Sequence, residues 1–396
     1  MHRLAALLTL TAAVAVAPAG SAPAHTPASN GWIAFASTRT PTTGTLGLYR
    51  LEPIGGAVTP IGELEGRQPA WSPDGSRIAF VDERYRLAIA SSDGTRTITL
   101  TSGRYPVREA SWSPDGSQIA FTRFTHSHNA GDIFVIAANG SGASRRVTST
   151  LEDNSKPAWS PSGSRIAFSS NRDPVRRIGD REIYVIRPDG SGLRRLTSND
   201  YEDDSPVWSP DGTRIAFVSG RAHPGNSAEL WLMNGDGRRS ERVQPASGPG
   251  GFPSWTDESP SWSPDGQWLV YVTNETNYPA NIFIVRPDGT GKVDLTPETQ
   301  SLDLDPAWQP VCSRPGTSRG DSLPGTPADD RLCGFEGNDV LRGGAGRDGL
   351  YGGLGADRLF SRDRSFDVVG CGAGRDEVVA DRVDLVGVDC ERVRRP

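Results

Sequence analysis

Residues 70–80 read Ala70-Trp71-Ser72-Pro73-Asp74-Gly75-Ser76-Arg77-Ile78-Ala79-Phe80, and this stretch decides the fold because it recurs. Trp112, Trp159, Trp208, Trp262 and Trp308 close similar lead-ins of small residues and proline, at successive spacings of 41, 47, 49, 54 and 46 residues. After all but the last Trp comes Ser-Pro-Asp-Gly, or its variant Ser-Pro-Ser-Gly at 160–163. Pro suits the first central position of a type I turn, Asp or Ser the second, and Gly the left-handed position that follows. An apolar strand comes next: Ile78-Ala79-Phe80, Ile119-Ala120-Phe121, Ile166-Ala167-Phe168, Ile215-Ala216-Phe217 and Leu269-Val270-Tyr271.

A third strand is seen in Ile133-Phe134-Val135-Ile136, Ile183-Tyr184-Val185-Ile186 and Ile282-Phe283-Ile284-Val285. It runs into tight turns at Asn139-Gly140, Asp189-Gly190, Asp236-Gly237 and Asp288-Gly289, which are strong hairpin signals. A fourth strand, typified by Arg194-Arg195-Leu196-Thr197, ends the unit. The two ends set the number of units. Ile33-Ala34-Phe35 has no Trp strand before it, and Trp308 has no partner strand after it. Five whole units and two fragments make six of each strand, so the last Trp strand is expected to complete the first unit and close a ring without free edges. The expected fold is all-β: a six-bladed β-propeller of four-stranded blades over residues 25–310.

The pattern Trp-Ser-Pro-Asp-Gly, Ile-Ala-Phe, Ile-Tyr-Val, Leu-Thr resembles the TolB-type propeller repeat, across about residues 31–310. It lacks the Gly-His and Trp-Asp dipeptides of eukaryotic WD repeats. The resemblance implies protein binding, since members of that family bind other proteins in Gram-negative envelopes and related propellers cap serine peptidases.

Residues 311–327 are rich in Pro, Gly and Ser and read as a linker. Beyond them Asp330, Asp339, Asp348, Asp357, Asp367 and Asp376 recur at steps of 9, 9, 9, 10 and 9. Glycines allow a tight loop whose carbonyls turn inward, aspartate supplies the hard oxygen that Ca²⁺ prefers, and Leu332, Leu341, Leu350 and Leu359 fill a thin core. The frames 343–350 and 352–359 resemble the RTX nonapeptide Gly-Gly-x-Gly-x-Asp-x-apolar. The resemblance implies a short, partly degenerate parallel β-roll over 328–396, half a turn per nonapeptide, with each ion joining one repeat to the next but one. The residues expected to hold Ca²⁺ are Asp330, Gly334, Gly337, Asp339, Gly344, Gly346, Asp348, Gly353, Gly355, Asp357 and Asp376. Four cysteines fall here, and proximity favours Cys312–Cys333 and Cys371–Cys390 among the three possible pairings. No His follows them to complete a zinc site.

Arg3, an apolar run from Leu4 to Val16 and Ala22-Pro23-Ala24 read as a signal peptide over residues 1–24, so the protein is expected to be secreted, to the medium or the cell envelope. That apolar run is too short to span a bilayer, and no other segment is apolar enough. The net charge of −6 leaves no footprint for nucleic acid, and a monomer is expected. Gly316-Thr317-Ser318-Arg319-Gly320 matches the nucleophile-elbow pattern but has no strand-to-helix setting and no His after it.

Loop lengths vary on one propeller face and repeat on the other. His126, His128, Arg172, Arg176, Arg177, Arg181 and Arg221 fall on the variable face and form a candidate partner-binding patch. The expected function is a non-catalytic scaffold that binds a protein or polysaccharide partner through the propeller and calcium through the tail. The alternative is a polysaccharide lyase or hydrolase using the axial pocket.

Overall fold

The structure is a computed structural model and describes residues 31–396, except 40–44, 54–56, 125–129, 151, 173–180, 222–227, 244–256, 275–278, 298–300 and 318. Among the described residues there are six four-stranded antiparallel sheets and two five-stranded parallel sheets. The six are propeller blades. In blade 2 the strands Arg67–Trp71, Arg77–Val81, Leu87–Ser91 and Thr97–Thr99 lie side by side in chain order. Blades 3 to 6 repeat this order from Val107–Trp112, Asn154–Trp159, Asp203–Trp208 and Asp257–Trp262. Blade 1 is the exception that closes the ring. Its first strand is the last of the propeller, Asp303–Trp308, paired antiparallel with Ile33–Ser37.

The turn chemistry is as the sequence dictates. Gly75 has φ 71° and its N–H donates to the Ser72 carbonyl at 2.9 Å. Ser72 Oγ donates to Asp74 Oδ1 and accepts the Arg77 N–H at 2.9 Å, and Asp74 Oδ1 also accepts the Ser76 N–H. The side chains thus pin the turn from within. Blade 4 has Ser162 in place of the aspartate, and its bonds are longer: Ser160 Oγ to Ser162 Oγ is 3.2 Å and Ser164 N to Ser162 Oγ is 3.4 Å.

Six apolar clusters fill the six seams between blades. Trp112 packs with Val81, Leu87 and Ile89 of blade 2 and with Ile119 and Phe121 of its own blade. Trp308 packs with Trp268, Val270, Ile282 and Ile284 of blade 6 and with Ile33, Phe35 and Tyr49 of blade 1. Each Trp strand therefore carries the apolar side chain that joins its blade to the one before.

The tail is a stack of short coils. One parallel sheet holds Arg314–Pro315, Arg331–Glu336, Gly349–Leu354, Val368–Ala373 and Leu385–Val386. The other holds Ser322–Pro324, Val340–Arg342, Arg358–Phe360, Glu377–Val379 and Arg392–Arg394. Leu332, Leu341, Leu350 and Leu359 are fully buried between them. Register runs Leu332 to Leu350 and Leu350 to Val369, so a coil is two nonapeptides long and the extra residue near 361–367 is absorbed in a turn. Cys312–Cys333 and Cys371–Cys390 are bonded, with Cα separations of 6.0 and 5.2 Å.

The expectation of a linker at 311–327 is corrected. Arg314–Pro315 pairs with Leu332-Cys333, and Ser322–Pro324 pairs with residues 340–342, so this segment is the first coil of the roll. Its Pro, Gly and Ser content reflects turns of a coil that stacks on one side only. Gly316, Thr317, Arg319 and Gly320 lie in that coil, with Ser318 outside the described residues, and the Thr317 N–H and hydroxyl both donate to Asp321 Oδ2.

The first sheet of the roll rests on the Ser-Pro-Asp-Gly face of the propeller. Arg331 donates to the Pro73 carbonyl at 2.8 Å, and the Tyr351 hydroxyl donates to the Pro114 carbonyl at 3.1 Å. A Cβ on Gly163 would stand 2.6 Å from Leu385 of the roll. The turns of blades 2 to 4 on this face are thus met by the chain itself.

Replacing Trp308 with Ala should destabilise the propeller by about 3–5 kcal/mol, the usual range for removing a buried Trp. The measurement is the urea midpoint of the full chain; a midpoint unchanged from the parent would mean that the ring does not depend on this seam.

Candidate metal centre

The aspartates of the roll form two ladders. Along one, the N–H groups of Asp321, Asp339 and Asp357 donate to Oδ1 of Asp339, Asp357 and Asp376, at 2.7, 2.7 and 2.8 Å. Along the other, the N–H groups of Asp330 and Asp348 donate to Oδ1 of Asp348 and Asp367, each at 2.8 Å. Every rung links one coil to the next, which is why the aspartates recur two nonapeptides apart.

The second carboxylate oxygen is the informative one. Oδ2 of Asp339, Asp348, Asp357, Asp367 and Asp376 is buried and accepts no hydrogen bond. A buried carboxylate oxygen left without a partner is costly, so a cation is the missing partner that fits best. Those of Asp339, Asp348 and Asp357 face loop positions that only glycine can fill. A Cβ on Gly352 would come within 2.5 Å of Asp357 Oδ2 and 2.7 Å of the Cys371 carbonyl oxygen, and Gly334 and Gly343 sit in the same way over Asp339 and Asp348. Gly337, Gly344, Gly346, Gly353 and Gly355 have φ between 103° and 137°, a region closed to other residues. Among the described residues no three His, Cys, Asp or Glu side chains gather as a ligand group. A cation here must therefore combine carboxylate oxygens with backbone carbonyls, the hard oxygen set suited to Ca²⁺.

Burial raises the carboxyls of Asp348, Asp357 and Asp376 to about 6 and that of Asp367 to about 7, from an ordinary 3.8, with neighbouring carboxylates adding to the effect. The first coil differs. Asp330 Oδ2 accepts both the N–H and the hydroxyl of Thr326, and its Oδ1 accepts the Ser313 hydroxyl. Asp330, expected from its spacing as a ligand, is satisfied within the chain, as is Asp321 through Thr317. Asp367, whose repeat has lost its glycines, has the same buried, unpartnered oxygen as its neighbours, and its loop alone gave no sign of it.

The propeller arginines of the expected binding patch are engaged internally. Arg221 pairs with buried Asp203 at 2.5 Å, donates from Nε to Ser219 Oγ at 2.9 Å and lies over Phe217 and Trp231. Arg172 repeats this on Asn154, Ser170 and Phe168, and Arg39 pairs with Asp303 over the Phe35 ring while Ser37 Oγ accepts the Arg39 N–H and donates to Asp303 Oδ1. The Ser-x-Arg after an Ile-Ala-Phe strand is thus a brace to the neighbouring inner strand. Arg181 pairs with Asp153 and contacts Asp204 and Glu202. His126, His128, Arg176 and Arg177 lie outside the described residues.

One feature of the axis has no common residue type to announce it. Gln68, Glu109, Lys156, Ser205, Ser259 and Asp305 sit at the bulge of the six innermost strands, each with φ between 51° and 57°. Their side chains link blade to blade: Gln68 Oε1 accepts the Glu109 N–H, Glu109 Oε2 accepts the Lys156 N–H, and Lys156 Nζ donates to Ser205 Oγ and Asp204 Oδ2. Ser259 Oγ donates to Asp305 Oδ1, whose carboxyl is pushed up by burial.

Comparison with known proteins agrees with this geometry. Residues 78–248 match the TolB beta propeller domain, and residues 316–362 match the RTX calcium-binding nonapeptide repeat, in four copies. The chain carries a TolB-type propeller and RTX-type repeats. The second match begins inside the first coil, as the strand pairing does. Among solved structures, TolB from Acinetobacter baumannii is 23% identical with a TM-score of 0.56, covering 71% of this chain and 67% of that one. A putative TolB from Agrobacterium tumefaciens is 21% identical with a TM-score of 0.52, covering 70% of this chain and 90% of its own. Hydrazine synthase from Kuenenia stuttgartiensis is 16% identical with a TM-score of 0.57, covering 71% and 47%. These likenesses establish the fold and nothing more, because propellers serve unrelated functions. No curated protein is similar in sequence.

The raised carboxyls fix the pH behaviour of the cation-free roll. A carboxyl with a higher pKa when folded holds a proton that the unfolded chain has released, so its contribution is full below about pH 4 and lost as pH rises through 6 to 7. In chelator, the tail should therefore unfold at a higher temperature near pH 5 than near pH 7.5, and calcium should reverse that order. Calorimetry across this range is the check, and a chelated tail more stable at the higher pH would contradict it.

Proposed function

We propose that the chain is an exported, non-catalytic binding scaffold whose roll is held together by Ca²⁺ and whose propeller engages a protein partner. The observation that carries the calcium part is the row of buried, unpartnered Oδ2 atoms on Asp339, Asp348, Asp357, Asp367 and Asp376, in register from coil to coil. These carboxylates and the carbonyls of the adjoining glycine loops would hold the ions, and bound calcium would supply the positive charge that lets buried carboxylates stay ionised side by side. The Asp ladder orients each carboxylate by fixing Oδ1, which leaves Oδ2 for the ion. Thr317 and Thr326 do for the first coil with hydroxyl and N–H groups what calcium would do for the later ones.

Export is supported by the signal-like residues 1–24, which lie outside the described residues, and by two disulfides suited to an oxidising compartment. Partner binding through the propeller is supported by the varied loop lengths of one face, since the roll takes up the Ser-Pro-Asp-Gly turns of blades 2 to 4 on the other. The pieces of that face lined by Arg172, Arg181 and Arg221 are braced internally, so a partner would be recognised by loops around them.

Calcium should raise the unfolding temperature of the full chain, by the equivalent of about 2.7 kcal/mol when present at about a hundred times its dissociation constant. Asp357→Asn keeps the shape but removes the charge, and should lower calcium affinity about tenfold or more. Calorimetry and calcium titration of both chains test this. The calcium reading is falsified if the parent chain unfolds identically with the ion and with chelator.

A further inference from the structure

We propose that the outward sheet of the roll is a docking surface for an acidic polysaccharide, a polymer of carboxylate-bearing sugars. The inference rests on the roll being folded as described above. Its other sheet is turned to the propeller through Arg331 and Tyr351, so Ser322–Pro324, Val340–Arg342, Arg358–Phe360, Glu377–Val379 and Arg392–Arg394 form its solvent side. Leu341, Leu359 and Val378, the middle residues of three of these strands, are buried in the core, and the residues flanking them point outward.

The outward positions carry Arg342, Arg358, Arg392 and Arg394 against the single acid Glu377, on a chain whose net charge is −6. Register aligns them in two columns: Val340, Arg358, Glu377 and Arg392 in one, and Arg342, Phe360, Val379 and Arg394 in the other. Glu377 is held between Arg358 at 3.4 Å and Arg394 at 2.8 Å. Arg342 and Arg392 have no carboxylate partner among the described residues. Arg342 lies over the Phe360 ring at 4.9 Å, and Arg358 approaches it at 5.7 Å.

This composition selects a ligand class. Neighbouring strands lie about 4.8 Å apart, so Arg358 and Arg392 stand two strands apart in one column and Arg342 and Arg394 three strands apart in the other, which spreads guanidinium groups along the stack for the carboxylates of a polymer. Guanidinium pairs with carboxylate through two parallel N–H···O bonds, which a compact ammonium cannot do. The Arg342 guanidinium, laid over the Phe360 ring, makes a flat plate for the C–H face of a sugar ring. Single-stranded nucleic acid calls for successive aromatic platforms, and here one half-buried ring is present. A lipid surface calls for several protruding apolar anchors, and among the middle residues of these strands Val393 alone is exposed.

The test is fluorescence anisotropy of a labelled glucuronic acid oligomer with the full chain, in calcium sufficient to give the full thermal shift. Binding should weaken as salt rises and be absent for the methyl-esterified oligomer. The double variant Arg342→Gln with Arg392→Gln should lose about tenfold in affinity while keeping the calcium-dependent thermal shift. Arg342→Lys should fall between the two, and Arg238→Gln, an exposed charge on the propeller, should change nothing. Undiminished binding by the double variant, equal binding of the esterified oligomer, or tighter binding of single-stranded DNA or phosphatidylserine vesicles would each overturn the proposal. An intact thermal shift without oligomer binding removes this proposal alone; oligomer binding without a calcium shift removes the calcium reading and leaves this one.

Discussion

The antiparallel pairing of Asp303–Trp308 with Ile33–Ser37 joins residues about 270 positions apart, and most of the architecture follows from it. Without it blade 1 would expose an unpaired inner edge and blade 6 would have no neighbour for Trp268 and Ile284. The same strand sets where the chain leaves the ring. Gln309 donates to the Gly75 carbonyl at 2.9 Å, so the chain emerges on the Ser-Pro-Asp-Gly face, and Cys312 is bonded to Cys333 in the second coil immediately after. Ring closure therefore also places the roll. A tail anchored there can only stack across the turns of blades 2 to 4, which is where Arg331, Tyr351 and Leu385 meet Pro73, Pro114 and Gly163.

The two domains answer the same physical problem by different means. A propeller blade buries its polar backbone in an antiparallel ladder and its apolar side chains in a seam shared with the next blade. A roll coil has room for one leucine per strand, so its loops must be held by something other than hydrophobic burial. The aspartate ladder supplies directional bonds between coils, yet leaves one oxygen per carboxylate buried and unpaired. Threonine closes that account in the first coil, where the stack has a neighbour on one side only. In the later coils glycine keeps the space open, and an aspartate oxygen with surrounding carbonyls is left facing it.

The charged groups show how a sequence conceals its own neutralisation. Arg221 and Asp203 are 18 residues apart, and Arg39 and Asp303 are 264 apart, yet both pairs perform one brace between the first and second strands of a blade. Read along the chain, the arginines on the variable face look like a free basic patch. In the fold, Arg172, Arg181 and Arg221 are already partnered. The axial ring is concealed for a different reason: Gln68, Glu109, Lys156, Ser205, Ser259 and Asp305 share a backbone conformation and no chemistry, so no repeat of residue type marks them.

The sequence by itself determined what local periodicity can encode. Six blades, their turns, the Leu core of the roll and the coil length all follow from side-chain alternation and fixed spacings, because a strand or turn is specified by residues within reach of one another. The nine-residue aspartate steps likewise marked the residues that the ladders join, though as calcium ligands and not as hydrogen-bond rungs. Only the tertiary structure decided which oxygens remain unpartnered, that residues 311–327 form a coil with its own threonine caps, and that the roll lies on the propeller with one sheet outward. Those outcomes depend on distances between segments remote in sequence, and pairing, burial and desolvation exist only once those segments have met.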